Sequence, residues 1–349
     1  MIAATSSSSQ FDRSPPFIRW QQVLADAITS PAELCTVLGL DPALLPAAIR
    51  AAKDFPLRVP RGYVARMRRG DPRDPLLLQV LPVRAELMSV PGFSSDPVGE
   101  MASREAPGLL HKYSGRALLV TTGACAVHCR YCFRRHFPYS DESVSPHSWG
   151  PALEYLRADS SISEVLLSGG DPLSLSDRRL QQLTGALQSI PHIRRLRIHT
   201  RYPVVLPERI DETLLQWLQD LPLQKVIVIH ANHAQEIDAH VRRACRDLAD
   251  AGVTVLNQSV LLAEVNDSVT ALAELSEALF DMKVLPYYLH LLDRVQGAAH
   301  FDIDAATALS LHEQLAARLP GYLVPRLVRE TPGASSKTPI GTTCRGNVG

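Results

Sequence analysis

Three cysteines, Cys125, Cys129 and Cys132, stand in a C-x3-C-x2-C spacing just after a short apolar, β-branched run. Closely spaced thiolates bind soft metals, zinc or iron–sulfur. Cys35 and Cys245 are remote in sequence, so the triad does not read as a disulfide framework. A structural zinc site takes four ligands, and His128 or His136 is a candidate fourth. A 4Fe–4S cluster takes four cysteines; three leave one iron open to a small molecule. A second chemical group is Lys337, set among small and polar residues in Glu330-Thr-Pro-Gly-Ala-Ser-Ser-Lys337. A primary amine can form a Schiff base with a carbonyl cofactor. The basic residues are 31 Arg and only 5 Lys, so such chemistry has few candidates. Lys53, Lys225 and Lys283 fall in a helical region, at a strand start and at a helix end; Lys112 reads as a phosphate or surface charge. The plain alternative for Lys337 is a solvated loop lysine.

The elements that must position these groups are legible from about residue 115 onward. Strands are expected at residues 117–122, 164–167, 196–200, 225–230, 254–262 and 285–292, with a further apolar run at 323–328. Helices are expected between them, among others at 177–190, 234–251 and 304–319. Such alternation implies a parallel sheet with right-handed crossovers, as a partial barrel or a doubly wound sheet. No G-x-G-x-x-G follows the first strand, which weighs against a dinucleotide fold. The polar residues cluster where strands end: the cysteines, Ser168-Gly169-Gly170-Asp171, Thr200-Arg201, His230 and Asn232, Asp293, and Glu330. Parallel strands bring those ends to one face, where barrel enzymes build their active sites.

The chain has 349 residues, enough for about two domains or one barrel with an extension. Residues 1–16 read as a Ser-rich disordered tail, 17–106 as a mainly helical region, and 107–349 as the barrel core with the Lys337 loop. Ser30-Pro31-Ala32-Glu33 carries helix-start signals. Residues 76–81 fit a strand or a helix, and 88–108 a connecting loop. Charged residues make up 21% and apolar ones 46%, which excludes a disordered or fibrous protein. Lys+Arg and Asp+Glu are both 36, which argues against binding nucleic acid by bulk charge. No run approaches the ~18 apolar residues of a membrane span, and no signal peptide is visible; a soluble cytoplasmic protein is expected. The arginine-rich stretch 58–73 is expected to be a solvated basic face interleaved with Asp71 and Asp74, with an acidic partner as the alternative.

The cysteine spacing with Ser168-Gly169-Gly170-Asp171-Pro172 after the second strand resembles the radical S-adenosylmethionine superfamily. Beyond that, PGLLHKYSGRALLVTTGACAVHCRYCFRR, LSGGDPL, LNQSVLL, YYLHLLDRVQGAAHF and the P-G-x-x-x-K loop are similar to the lysine 2,3-aminomutase family, over about residues 107–337. The resemblance implies a partial (βα)6-type barrel and three cofactors: a 4Fe–4S cluster on Cys125, Cys129 and Cys132, S-adenosylmethionine, and pyridoxal 5′-phosphate on Lys337. It assigns Lys112, Tyr113, Arg116 and Tyr287 to the pyridoxal phosphate. Ser168, Gly169, Gly170, Asp171, His230 and Gln258 go to S-adenosylmethionine. The implied reaction moves an amino group from C2 to C3: an adenosyl radical takes hydrogen from an unactivated carbon, and an imine migrates where a free amine does not.

Substrate choice is implied by charge. Arg134 matches the arginine that binds the amino acid's carboxylate, and Asp293 and Glu330 match the acidic pair that binds the distal ammonium of L-lysine; for either acid alone a cap or solvated carboxylate is the alternative. Three departures stand out: Glu330 where metabolic enzymes carry Asp, a Gly-Ala-Ser-Ser loop, and 12 residues after Lys337 where those enzymes continue into a zinc-binding segment that Cys344 alone does not replace. A short chain with this Glu is similar to the branch that makes (R)-β-lysine from (S)-α-lysine for elongation factor P, to which a separate lysyl ligase attaches it. A one-electron donor such as flavodoxin or ferredoxin is implied. A radical enzyme for another cationic amino acid, and a non-catalytic iron–sulfur or zinc binding protein, are the alternatives.

Overall fold

The structure, a computed structural model, describes residues 19–142 and 149–341; the expected tail at 1–16 and Cys344 lie outside these residues. Seven parallel strands form the frame: β3 (Arg116–Thr122), β4 (Glu164–Gly169), β5 (Arg195–Thr200), β6 (Gln224–Ile229), β7 (Thr254–Val260), β8 (Leu285–His290) and β9 (Arg326–Arg329). Two antiparallel strands, β1 (Arg104–Ala106) and β2 (Leu109–Tyr113), precede them at one edge, and β10 (Thr338–Pro339) ends the other. Strand order follows chain order from β1 to β10. A doubly wound sheet would reverse its order midway; this one runs in a single direction, and among the described residues β1 and β10 are not paired. The expected partial barrel is borne out, its six βα units followed by β9.

Burial along the strands fits an open barrel. β5 alternates strictly, with Leu196, Ile198 and Thr200 buried while Arg195, Arg197 and His199 remain partly accessible. In a closed eight-stranded barrel the inner positions would fill with packed side chains. At the strand starts Glu164 takes Arg197 and, at 3.5 Å, Arg195, which closes that end with ion pairs. Helices such as Asp177–Gln188, Ala239–Asp250 and Ala305–Arg318 cover the outside, near their expected positions. Asp304 caps the last of these by accepting from the Ala306 and Thr307 amides at 2.9 Å.

The N-terminal segment packs into the same apolar core: one cluster runs from Trp20 through Leu34, Tyr63 and Leu77 to Leu167 and Leu279. The ambiguity at 76–81 resolves as a one-turn helix, Pro75–Leu78, because Asp74 accepts from the Leu76 and Leu77 amides and Pro75 starts the turn. Ser30 caps the start of Pro31–Leu38 as the sequence leads one to expect, and Gly39, in the left-handed conformation, ends it. Two expectations need correction. The 88–108 loop contains a turn of 3-10 helix, Glu100–Ser103, and the strand β1. Nor is 58–73 a purely solvated face: Arg66 is half-buried, donating to the carbonyls of Glu236 and, at 2.8 Å, Val204, and Asp74 is fully buried as a cap. Arg61, on the surface, pairs with Asp26 and Glu33.

Candidate active site

The cysteine loop leaves β3 after Thr122 and is pressed against the turn after β4. The Gly170 amide donates to the Thr122 carbonyl at 2.6 Å and the Asp171 amide to the Ala124 carbonyl at 2.8 Å. Gly169 has φ +121°, a region closed to other residues, and a Cβ there would come within 2.5 Å of the Thr122 oxygen. At Gly170 a Cβ would lie 2.5 Å from the Ala124 oxygen. Both glycines thus have a packing reason: they let the turn approach the backbone that presents Cys125. Gly170→Ala is expected to cost about 1–3 kcal/mol, because backbone atoms have nowhere to yield, and to lower iron loading. Thermal unfolding and iron content of the reconstituted variant check this; unchanged values would remove the packing argument.

Burial raises the Cys125 thiol well above its ordinary value, with Asp171, Cys132 and Cys129 adding to it, and pushes Cys132 up to about 11, with Cys129 adding. The three thiols, each half-buried, therefore lie near enough to feel one another's charge. No three Cys, His, Asp or Glu side chains among the described residues converge tightly enough for a single metal ion. His128 and His136 turn ring nitrogens to the Pro56 and Gln296 carbonyls, at 2.9 and 3.1 Å. Among the described residues the zinc alternative therefore lacks its fourth ligand, whereas three soft ligands on one loop suit a larger cluster.

Asp171 faces away from open space. Its carboxylate accepts from Thr200 Oγ1 at 2.7 Å, the Arg201 amide at 2.7 Å and the Leu173 amide at 3.0 Å, and burial still raises it to about 6. It ties β4 to β5. His230 and Gln258 do meet, with Nε2 atoms 3.0 Å apart, and the His199 ring lies edge-on to His230 at 5.9 Å. Burial lowers His230 to about 3 and His199 and His290 well below their ordinary value, so the three imidazoles are neutral. The Nε2 atoms of His199 and His290 are buried without a partner among the described residues, which is what a polar ligand would need from an interior wall.

Lys337, Glu330, Lys112 and Tyr113 form one group. Glu330 accepts from Lys112 Nζ at 2.6 Å, from the Tyr113 hydroxyl, and from Lys337 Nζ at 2.9 Å. Burial alone would raise the Glu330 carboxyl, but Lys337 and the donors from Lys112 and Tyr113 bring it down to about 2. These contacts join β2 to the chain beyond β9, so side chains bridge the barrel seam that backbone leaves open. Arg116 stacks on the Tyr113 ring at 4.7 Å, which places Lys112, Arg116 and Lys337 around one space. Two cations, Lys112 and Arg116, and a reachable amine, Lys337, fit a phosphorylated aldehyde cofactor. Tyr288 rather than Tyr287 faces Lys337, whose Nζ lies 5.6 Å from the Tyr288 ring centre. Tyr287 reaches the site through its hydroxyl, 3.1 Å from that of Tyr288. The alternation along β8, with Tyr288 and His290 on one side, was the available signal.

Asp293 and Glu330 line one cavity of about 230 Å³. Asp293 is accessible to that cavity yet enclosed by protein, and burial raises its carboxyl to about 7 against the pull of Lys337. Arg134, buried after the cysteines, donates Nη1 to Ser168 Oγ at 2.7 Å and to the Gly169 carbonyl at 3.2 Å. Its other edge is taken by Glu100, in a two-point pair of 2.7 and 2.5 Å. Glu100 lies in the stretch read as a connecting loop, and nothing in its local sequence signals this role.

A model of the radical SAM superfamily matches residues 119–275. The L-lysine 2,3-aminomutase of Escherichia coli (strain K12) is 51% identical over 322 residues, 92% of this chain and 94% of that one. That of Haemophilus influenzae is 46% identical, covering 91% of this chain and 94% of the other. The L-lysine 2,3-aminomutase of Clostridium subterminale is 36% identical over 92% of this chain and 77% of its own length. The superfamily implies a 4Fe–4S cluster and S-adenosylmethionine, and the cysteine triad on one loop suits the former. With relatives of this identity over about nine-tenths of its length, the chain belongs to the L-lysine 2,3-aminomutase family of the radical SAM superfamily.

Proposed function

We propose that the protein is an isomerase that converts (S)-α-lysine to (R)-β-lysine by moving the 2-amino group to C3. When bound, the cluster and S-adenosylmethionine supply a hydrogen-abstracting carbon radical, and pyridoxal phosphate supplies the carbonyl carbon that lets an amino group change position. The residues of this chain do the rest. Cys125, Cys129 and Cys132 hold the cluster, with Ser168, Gly169, Gly170, His230 and Gln258 shaping the space beside it, while Asp171, expected there too, instead fixes the β4 turn to β5. Lys337 anchors the pyridoxal, with Lys112, Tyr113 and Arg116 around its phosphate and ring and Tyr287 acting through Tyr288.

The observation that carries lysine as the substrate is the pair of carboxylates, Asp293 and Glu330, on one cavity wall. Glu330 is already satisfied by Lys112, Tyr113 and Lys337, whereas Asp293 has a raised carboxyl that a distal ammonium would return to its ionised form. Arg134 is the carboxylate site, and Glu100 occupies it as a resident carboxylate that substrate displaces. Glu100→Gln is therefore expected to lower the lysine KM several-fold, because a neutral amide competes less well for the guanidinium. Steady-state kinetics check it; a raised KM would mean that Glu100 positions Arg134 instead.

The short bacterial relatives and Glu330 support a role in supplying β-lysine to the lysyl ligase that modifies elongation factor P, with a flavodoxin- or ferredoxin-type protein as electron donor, in the cytoplasm. Among the described residues no helix is long and apolar enough to cross a membrane. The test is anaerobic incubation of the reconstituted protein with S-adenosylmethionine, pyridoxal phosphate, dithionite and L-lysine. β-Lysine together with 5′-deoxyadenosine is expected. Deoxyadenosine without β-lysine would reject lysine in favour of another cationic amino acid, and neither product from cluster-loaded protein would leave a binding protein.

A further inference from the structure

Arg201 follows β5 directly and reaches back beneath the cysteine loop. It is 5% exposed. Its Nη1 donates to Cys129 Sγ at 2.8 Å. On the other side Nη2 donates to Glu236 Oε2 at 2.9 Å, Gln79 Oε1 at 2.6 Å and the Tyr63 hydroxyl at 3.2 Å. Its backbone amide is held by Asp171. The Nε–H is buried with no acceptor among the described residues.

A guanidinium keeps its proton in a protein, so a full positive charge stands beside one corner of the triad. A purely structural ion pair with Glu236 would account for Nη2 and leave Nη1 free to find a carbonyl. Nη1 instead meets a thiol whose family role is to hold iron. Cys132, by contrast, receives its hydrogen bond from the Arg134 backbone amide. The protein thus presents its cysteines unequally, with one charged side-chain donor at Cys129.

We propose that Arg201 is a positioning residue for the iron–sulfur cluster, donating a charge-assisted hydrogen bond to the Cys129 sulfur and raising the potential of the one-electron couple. The inference rests on the cluster assignment that comes with the family. When a donor protein adds one electron, no bond forms or breaks and the cluster becomes more negative. A cationic donor at a ligand sulfur stabilises that reduced state more than the oxidised one. Glu236, Gln79 and Tyr63 fix the guanidinium so that it does not swing away.

The test uses full-length reconstituted protein carrying 15N-guanidinium arginine, reduced and examined by pulsed EPR. Hyperfine coupling between the cluster and an arginine nitrogen is expected in the wild type and its loss in Arg201→Lys. A redox titration followed by EPR then compares Glu236→Gln with Arg201→Gln/Glu236→Gln, a background in which no buried carboxylate is left unpaired. The double variant is expected to titrate at a more negative potential, with Arg201→Lys closer to the wild type. A cluster signal with no arginine coupling, or equal potentials in the two Glu236 backgrounds, overturns the inference. A wild type with no cluster signal at all overturns the cluster assignment, and the inference falls with it.

Discussion

Lys337→Ala is expected to abolish β-lysine formation, by at least ~10³-fold, while the protein keeps a reducible iron–sulfur cluster. The amine at this position is held 2.9 Å from Glu330 and over the Tyr288 ring, a quarter exposed, in a space shared with Lys112, Tyr113 and Arg116. If Lys337 were a solvated loop lysine, its loss would change stability by a few tenths of a kcal/mol at most. If it anchors pyridoxal phosphate, the variant also loses the visible absorption of bound cofactor and the borohydride-fixed label on the peptide containing residue 337. Lys337→Arg separates the two parts of the role. It keeps a positive charge beside Glu330, which Lys337 helps to hold at about 2, but has no primary amine, so it is expected to be as inactive as the alanine variant. A Lys337→Ala protein with wild-type turnover and absorption would return the binding-protein reading.

Asp293→Asn is expected to raise the lysine KM on the order of 10²-fold, the effect of removing one member of an enclosed charge pair, and to leave cofactor loading unchanged. The pH dependence gives an independent signature. Burial raises the Asp293 carboxyl from its ordinary value of about 4 to about 7, so in the free protein much of it is protonated near neutrality. For stability, a raised carboxyl favours folding below its unfolded value, and that contribution is lost as pH climbs toward about 7. For binding the sign reverses: an ammonium prefers the carboxylate, so lysine affinity in the wild type is expected to rise with pH up to about 7 and then level off. In Asp293→Asn that limb should vanish from the profile of kcat/KM, and the free variant should unfold at a temperature no lower than the wild type at pH 8. An unchanged KM and an unchanged acidic limb would remove Asp293 from ammonium recognition.

Local order accounts for what was readable in advance. Cys125, Cys129 and Cys132 fall within eight residues, so their meeting required only the loop after β3. Parallel β-periodicity placed the strand ends together, hence His230 beside Gln258 and Asp293 beside Glu330. The caps at Ser30 and Asp304 are one-turn events. The harder pairs span long stretches of chain: Glu100 with Arg134, Lys112 with Glu330, Arg201 with Cys129. No periodicity links such partners, because each depends on how far the sheet curls before it stops.

By itself the sequence determined the element types, the end of the barrel where the cysteine loop lies, and the inventory of chemical groups, since these follow from spacing along one strand, turn or helix. Only the tertiary structure decided which groups are free to bind. Asp171 is spent on joining β4 to β5, Arg134 is held by Glu100, and Glu330 closes the seam with Lys112 and Tyr113, while Asp293 keeps an enclosed carboxyl facing the cavity. The physical reason is that a polar group's availability is set by which partners reach it in three dimensions and how much water remains, and neither quantity is written in the spacing of residues along the chain.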